Sequence, residues 1–528
     1  RAPHADPAPR YRMLETLREY GIERLTEAGA IAEVRRAHAR YFRDLAEQAE
    51  PHLRRREQLT WLARLDADRD NILAALRFAA DSGDADTAIR LAAALAWYWS
   101  IIGQTTEGRA WLALALSVDG DSPAEAHAVV TILHALTGLF SAQDWTALSD
   151  ITDALAGVVD DPGLPYDNPL LAIAACTIPI ITDDLSAVVA AVAVHENHPD
   201  PWVRGMLHLM RGMAAENSGD LLTQRRDLEE ARRRFAEIGE RWGLSASLSV
   251  LAGMAMADGE AAGAMQLQDE ALTLLHEINA ADDAAQVQMM RATVLARIGN
   301  QDEAKALVNS ILESARQNRS HSAMLLAYIG LADIARYEGD TDTAWENLRE
   351  SHEITRGQWQ GPPQLLALRE VTQALLYSAA SHQDADANDA YGAGDACGID
   401  DTDVARAKAR QALHEAYVFG TAAHDMPVLS RIAIGIATYA DATGDPHGAA
   451  RLLGTADALR GGTDLGDPDR AGARQSVRAQ LGGEAYDAAF ALGRAMARQE
   501  GLVAMADYLG IEPRAPRGFD EVGEEGEE

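Results

Sequence analysis

The fold of this chain is decided by a repeated pattern, of which residues 251–280 read LAGMAMADGEAAGAMQLQDEALTLLHEINA. The polar break DGE recurs as SGD, IGN and EGD, so that glycines fall 40 residues apart at Gly219, Gly259, Gly299 and Gly339. Glycine accepts the positive φ that ends a helix in a tight turn. The spacing therefore predicts helices interrupted by glycine turns.

Small residues lie at fixed distances from these four glycines. Five residues after them come Gln224, Ala264, Ala304 and Ala344, and seven residues before them come Gly212, Ala252, Ala292 and Ala332. Two helices of a hairpin approach closely only where small side chains face each other. Repeats of 20 to 50 residues indicate a solenoid, in which each repeat packs on its neighbours. The same spacing recurs earlier, at Gly83 and Ala88, and later, at Ala437, Gly444 and Ala449.

The composition favours an all-α chain. Of 528 residues, 47% are hydrophobic and only 5% are aromatic, and the apolar residues are mostly Ala and Leu. These residues favour helices, whereas β-branched runs are short.

The charge and the cysteines limit the function classes. A net charge of −34 repels phosphate backbones and anionic membrane surfaces, so we expect no direct nucleic-acid binding and no membrane association. No apolar run reaches ~18 residues. The two cysteines, Cys176 and Cys397, give no disulfide framework. A cytoplasmic location is expected.

Composition also divides the chain. We expect linking helices in 1–50, helical repeats in 51–380, a disordered Ala/Gly/Asp-rich insertion in 381–403, the last repeats and a cap in 404–510, and an acidic tail in 511–528. The absence of an initiator Met suggests a fragment of a longer protein. Three N-terminal helices are expected, of which the third covers residues 59–84 without a break.

Two resemblances follow from these residues. The spacing of Ala252, Gly259, Ala264 and Ala271 resembles the tetratricopeptide repeat (TPR), stretched from 34 to about 40 residues. The runs YRMLETLREYGIERL, RRAHARYFRDLAEQAEP and WLARLDADRDNILAALRFAADSGD, together with ARLLGTADALR and LGGEAYDAAFALGRAMA, resemble large AfsR-like actinobacterial transcription regulators of the SARP family.

The resemblance implies a fold and a function. The fold would be a right-handed superhelical solenoid of TPR-like hairpins, preceded by the remnant of a winged-helix domain. The function would be to sense a signal or to restrain an upstream ATPase module. The same parent protein would also carry an upstream DNA-binding module. This chain contains no GxxxxGK[ST] motif, so ATP or ADP and Mg²⁺ are expected only in that ATPase module and no cofactor is expected here. GxSxG, CxxC and HExxH are absent too, so we expect no catalysis in this chain.

A sensor array of this kind binds in its concave groove. The resemblance places in that groove Met206, Leu209, Met213, Glu216, Met256, Gln286, Met289, Arg297, Asp333, Arg336 and Tyr337. Thioethers adapt to an irregular apolar ligand, while charged groups fix its orientation. The expected partner is a small-molecule effector, or a protein segment that includes the parent protein's own ATPase and DNA-binding modules. The alternatives are a scaffold with no small-molecule ligand, and methionines that only fill the core.

Other clusters have plainer interpretations. Trp97, Tyr98, Trp99 and Trp111 form either core or an aromatic ligand wall. His195 and His198 lack a visible third metal ligand, and Asp384, Asp386, Asn388 and Asp395 lack the glycine and glutamate of a calcium loop. No metal is therefore expected. The arginine runs 54–56 and 232–234 are expected to be solvated helix faces, or else docking points for an acidic partner.

Overall fold

The structure is a computed structural model that describes residues 13–103, 105–141, 157–158, 168–181, 185–357, 361–381 and 402–513. Within these ranges the chain forms 24 α-helices and one 3-10 helix, and no strand. The prediction of an all-α chain is confirmed for these residues. Most of the insertion predicted at 381–403, including the four residues of the calcium-like spacing, and most of the acidic tail lie outside the described residues.

The N-terminal helices run as far as residue 141. They are α1 (Glu15–Glu27), α2 (Ile31–Ala49), the 3-10 helix Glu50–Arg54, α3 (Gln58–Ala67), α4 (Arg69–Asp81), α5 (Ala85–Ile101), α6 (Thr105–Leu116) and α7 (Ala124–Ser141).

The middle of the chain is a row of antiparallel helices. They are α8 (Pro169–Ile181), α9 (Leu185–His195), α10 (Pro201–Ser218), α11 (Leu221–Ile238), α12 (Arg241–Ala257), α13 (Ala261–Glu277), α14 (Ala281–Arg297), α15 (Gln301–Asn318), α16 (His321–Glu338), α17 (Thr341–Thr355) and α18 (Pro363–Ala380).

Six helices complete the described part. They are α19 (Thr402–Ala423), α20 (Met426–Ala442), α21 (Pro446–Arg460), α22 (Pro468–Leu481), α23 (Gly483–Arg494) and α24 (Arg498–Leu509).

The array from α10 to α17, which we call the repeat array, follows a 20-residue unit of one helix and one turn. Its turns carry residues with φ between 55° and 91°, namely Gly219, Gly239, Gly259, Asn279, Gly299, Arg319 and Gly339. The four predicted turn glycines are confirmed, and two units make the 40-residue period. The intermediate turns were not predicted, because Asn279 and Arg319 occupy positions where glycine is the usual residue.

The Gly-Asp pairs explain how the turns are built. In Gly219-Asp220 the glycine ends α10 with a left-handed residue, and the Asp220 carboxylate then accepts a hydrogen bond from the backbone N–H of Thr223 at 3.0 Å. Asp340 caps α17 in the same way through Thr343, at 3.1 Å. One residue closes the old helix and the next satisfies the first orphan N–H groups of the new one.

Small residues hold the helices close together, as predicted. Ala264, Ala304 and Ala344 are completely buried. Gly205 and Gly243 enclose the buried Phe235 ring, and a Cβ added at these glycines would lie 2.9 Å and 2.4 Å from it. Full burial of such a ring stabilises the fold by about 2–3 kcal/mol.

The N-terminal helices dock on the turns before α10 and α12. The buried Gln58 side chain donates to the Glu240 carboxylate at 2.9 Å and accepts from the Arg241 backbone N–H at 3.2 Å. Arg55 pairs with Asp200 at 2.8 Å, and Arg54 is buried with its guanidinium 5.4 Å from the Trp202 ring centre. The prediction that residues 54–56 form a solvated face is therefore wrong for Arg54 and Arg55, which join the N-terminal helices to the array, whereas Arg56 is exposed.

Two further predictions have clear outcomes. The prediction of a single helix over 59–84 is wrong, because the chain breaks at Asp68 into α3 and α4. The Asp68 carboxylate accepts a hydrogen bond from the Asn71 side-chain amide at the start of α4. The interpretation of the aromatic cluster as core is confirmed for Trp97, which is buried and lies edge-on to Trp202 and Trp242 at 5.0 Å and 5.3 Å.

The C-terminal helices fold back onto the repeat array. Helices α20 and α21 pack against α10. Helix α21 is anchored on α23, where Gly454 and Gly493 let two backbones touch, since a Cβ at Gly493 would lie 1.9 Å from the Arg451 carbonyl oxygen. This fold-back places α20 opposite the array and encloses a cavity.

Candidate functional site

A cavity of about 560 Å3 lies between the repeat array and the C-terminal fold-back. Helices α10, α14 and α16 form one wall, and the start of α20 with the segment after α21 forms the other. Its apolar lining consists of Met213, Met289, Ala292, Ala296, Val308, Leu326, Ile329, Gly330, Ile334, Tyr337, Leu368, Pro427, Val428 and Ile434. Its polar lining consists of Glu216, Asn217, Thr293, Arg297, Asp333, Asp425, Ser430, Arg431, Arg460, Asp464 and Asp467.

A segment that we call the strap, Gly461–Asp467, closes one side of this cavity. The Leu465 backbone N–H donates to the Ala257 carbonyl at 2.7 Å. A Cβ added at Gly461 would lie 2.0 Å from the Gly219 carbonyl oxygen, and one at Gly466 would lie 2.4 Å from that of Met256. Glycine is required at both positions, because the strap touches the turns of the array backbone to backbone.

An ion-pair network fastens the C-terminal helices to α16. Arg336 holds both carboxylate oxygens of Asp469, at 2.6 Å and 2.8 Å, and its guanidinium lies 4.6 Å from the Tyr337 ring centre. Arg431 pairs with Asp467 at 2.6 Å and with Asp469 at 2.9 Å. Side chains of this network are 1% to 12% exposed, so solvent screens these pairs little.

The start of α22 positions the two aspartates of the network. Asp467 is the N-cap and accepts the Arg470 backbone N–H at 3.0 Å, while Asp469 lies in the first turn. Burial alone would raise the pKa of Asp467, but the guanidiniums of Arg431 and Arg297 and this backbone bond outweigh burial and hold its pKa below the usual range. The positive end of the helix favours both carboxylates.

Two other carboxyl groups that line the cavity have pKa values shifted in the opposite direction. Burial raises the pKa of Glu216 and of Asp425; the Gln224 side chain beside Glu216, the Val428 N–H bonded to Asp425 and the nearby Arg460 oppose this only in part. Glu216 lies in the last turn of α10, and Asp425 caps α20 by accepting the Val428 backbone N–H at 3.0 Å. The two are neighbours, because the Asn217 amide oxygen accepts the Met426 backbone N–H at 3.4 Å.

The structure gathers more than half of the predicted groove residues around this cavity. Those that line it are Met213, Glu216, Met289, Arg297, Asp333 and Tyr337. Arg336 lies next to them in the ion-pair network. Met206, Leu209 and Met256 are buried in the core, and Gln286 is exposed. Ligand binding by these residues stays a prediction.

Sequence reasoning missed the half of the cavity that the C-terminal helices supply. Asp425, Arg431 and Asp467 are more than 90 residues from Asp333, and no repeat spacing pairs them. The signal that was available is the segment GGTDLGDPD, where acidic residues and glycines precede Pro468. Arg297 lies 3.7 Å from Asp464 and 3.8 Å from Asp467 in that segment, so the groove arginines already have partners within the chain.

On a second concave surface, on α11, the arginines are paired with acidic side chains of the chain itself. The surface is open and is lined by His208, Arg211 and the arginines of residues 226–234. Arg211 holds the buried Asp227 at 2.6 Å, and Arg233 pairs with Glu230 and Glu237. The run 232–234 is therefore a partly solvated face with acidic partners from the chain itself.

The described residues show neither a metal site nor a membrane-spanning helix. Among the residues that the structure describes, no group of three or more His, Cys, Asp or Glu side chains is arranged to hold a metal ion. His195 and His198 are buried, with their ring centres 6.4 Å apart. Within the same ranges no helix has the length and the apolar character needed to cross a bilayer.

The chain is distantly similar to mycobacterial proteins named, provisionally, as HTH-type transcriptional regulators. Two relatives from strains of Mycobacterium tuberculosis and one from Mycobacterium bovis are each 26% identical over 547 residues. The alignment covers 97% of this chain and 60% of each relative, so the chain spans about 60% of the length of these curated relatives. No protein-family model matches the chain.

Proposed function

We propose that this chain is the sensing and autoregulatory part of a transcription regulator, and that the cavity binds a small-molecule effector. The observation that carries the proposal is the cavity itself, whose two walls come from different parts of the chain. The similarity to HTH-type regulators along nearly the whole chain supports the regulatory role. We further propose that the repeat array winds as a TPR-like superhelix.

The lining of the cavity favours a small molecule over a long peptide. Apolar side chains from α14, α16 and α20 line the cavity together with eight charged groups, and apolar walls with convergent polar groups are typical of a ligand pocket. Met213 and Met289 can adapt to an irregular shape. A peptide that ran along the groove would have to displace α20 and break the ion pairs of Arg336 and Arg431. The scaffold function therefore requires the fold-back to open.

An effector in this position can change the protein's state. It contacts the array and the fold-back together, so it binds the closed arrangement more tightly than an open one and shifts the population toward the closed form. The proposed receivers are the ATPase and DNA-binding modules that the family resemblance implies. We propose no catalysis and no cofactor for this chain.

Thermal melts against a metabolite panel test the proposal. A ligand at a hundred times its dissociation constant stabilises a protein by about 2.7 kcal/mol, which shifts a melt. The matched control is Gly330→Leu, whose side chain would occupy part of the cavity: a Cβ there meets only the flexible end of Met289, at 3.1 Å. Leucine also replaces a glycine inside α16, which favours the helix by about 0.8 kcal/mol.

The expected result is a compound that raises the melting temperature of the wild-type chain and leaves that of Gly330→Leu unchanged. The cavity would not be the effector site if no compound raised the melting temperature of the wild type. The same conclusion would follow if every active compound raised the melting temperatures of both proteins equally. The next search would then be for a protein partner.

A further inference from the structure

We propose that the effector is an amphipathic cation, with an amine or guanidine group bound by Glu216 and Asp425 and an apolar body in the rest of the cavity. This inference rests on the proposed function, because it names the ligand class for the same cavity. Four observations carry it: the pairing of the charges, the helix end at Glu216, the apolar surroundings and the cost to an anion.

The arginines that line the cavity all have carboxylate partners, but two of the carboxyl groups have no arginine partner in the described part of the chain. Each arginine has a carboxylate within ion-pair distance: Arg297 and Arg460 approach Asp464 at 3.7 Å and 3.9 Å, and Arg431 approaches Asp467 at 2.6 Å. Glu216 and Asp425 have no ion-pair partner within 4.0 Å among the residues that the structure describes. The nearby Arg460 offsets the burial of these two groups only in part, and a cationic ligand in contact with them would offset more of it.

The position of Glu216 adds a second attraction for a cation. Helix α10 ends at Ser218, and Gly219 follows in a left-handed conformation. The last turn of a helix carries the negative end of its dipole, where a cation is favoured and a carboxylate is not. Glu216 therefore lies where its own helix opposes its charge, and a positive group beside it would interact favourably with both.

Apolar side chains lie beside the two carboxyl groups and continue along one wall of the cavity. Met213 is on the same helix as Glu216, and Val428 is one turn from Asp425. Ile329 and Ile334 continue the apolar wall along α16. An apolar body attached to the cation would contact these side chains and release water from them.

An anionic ligand would bind more weakly at the same position. It would face the two unpaired carboxyl groups at one end of the cavity. Elsewhere in the cavity it would have to take Arg431 away from Asp467, which holds it at 2.6 Å, or compete with Asp464 and Asp467 for Arg297. At Arg431 an anion would therefore gain one ion pair by breaking another, whereas a cation at Glu216 and Asp425 breaks none.

Isothermal titration with three probes of one shape tests the inference. The probes are 4-phenylbutylamine, 4-phenylbutanol and 4-phenylbutyrate, whose apolar bodies match and whose ends are cationic, neutral and anionic. We expect the amine to bind the wild-type chain about tenfold or more tightly than the alcohol, and the anion to bind most weakly. Glu216→Gln and Asp425→Asn should each reduce the preference for the amine by about tenfold, since each removes one charge-assisted contact.

The variants are chosen to fold. Glutamine keeps the size of Glu216, and asparagine is as good an N-cap as Asp425. Glu229→Gln, on the exposed side of α11, is the matched control and should leave all three affinities unchanged. Gly330→Leu should weaken binding of all three probes, which shows that they occupy the cavity.

The outcomes separate this inference from the proposed function. Equal binding of amine and alcohol, tighter binding of the anion, no binding of the amine, or an amine affinity that Gly330→Leu leaves intact would each overturn the cationic ligand. The proposed function survives all four results as long as some metabolite of another class shifts the melt of the wild type but not that of Gly330→Leu.

Discussion

Arg336→Met should release the C-terminal fold-back from the repeat array. The Arg336 side chain is 12% exposed and that of Asp469 is 10% exposed, and the two share a bidentate ion pair. Removing one partner of a buried pair costs about 3–5 kcal/mol, because the other charge stays buried without it. Arg431 still holds Asp469 at 2.9 Å, so we expect the lower end, about 3 kcal/mol.

Hydrogen exchange measured by mass spectrometry locates the loss. The fold-back meets the array through the strap, the ion-pair network and the packing of α20 and α21 on α10, so opening these contacts requires less than global unfolding. An opening that becomes easier by about 3 kcal/mol raises amide exchange by roughly a hundredfold. We expect this increase in α20 to α22, and little change in α2 to α5, which are far from the network along the chain.

The control is Arg233→Met, which also removes two carboxylate partners. Arg233 is 51% exposed and its partners are on the same helix, so water replaces the lost pairs and exchange should not change. Adding Asp469→Asn to Arg336→Met should recover part of the protection, since it removes the unpaired buried charge. If Arg336→Met exchanges no faster than Arg233→Met, the network does not fasten the fold-back.

Three further predictions concern stability. Arg319→Gly should stabilise the chain by about 1 kcal/mol in urea unfolding, because Arg319 has a φ of 55° that glycine accepts without strain; unchanged stability would remove this argument. Burial raises the pKa of Asp283 to about 6, so the fold loses stability as pH rises through that value and keeps it below pH ~4, where the group is protonated in both states. Asp283→Asn should therefore gain about 2 kcal/mol over the wild type at pH 7.5 and nothing at pH 4, and an equal gain at both pH values would contradict the titration. Gln58→Ala should cost about 1–3 kcal/mol in the same unfolding assay, because it leaves Glu240 buried without its amide partner, and a cost no larger than that of an exposed Gln→Ala change would contradict this.

The repeat could be predicted because its determinants are local. Gly219 and Gly339 mark turns through backbone conformation, and Ala264 and Ala304 mark close contacts through size, so both show up as spacing along the chain. The half-period turn at Arg319 could not be predicted this way. There the packing of α15 and α16 imposes a conformation that the side chain disfavours.

Only the wall of the cavity that belongs to the repeat array could be predicted from the sequence. Glu216, Met289 and Asp333 follow from the repeat, since residues at equivalent positions of successive helices share one face. Asp425 and Asp467 come from a segment that returns across the groove, and the return depends on three-dimensional contacts such as that of Gly461 with Gly219. A spacing rule carries no information about such a contact. The prediction of a solvated face was wrong at Arg55 for the same reason, because its partner Asp200 lies 145 residues away in the sequence.

Native mass spectrometry tests the central claim most directly. The chain and its Gly330→Leu variant would each be exposed to a small-molecule extract of bacterial cells and weighed intact after buffer exchange. The account predicts a bound mass of a few hundred daltons on the wild type, consistent with a cavity of about 560 Å3, and none on the variant. A bare mass for both proteins, or the same adduct on both, would contradict an effector site between the repeat array and the fold-back.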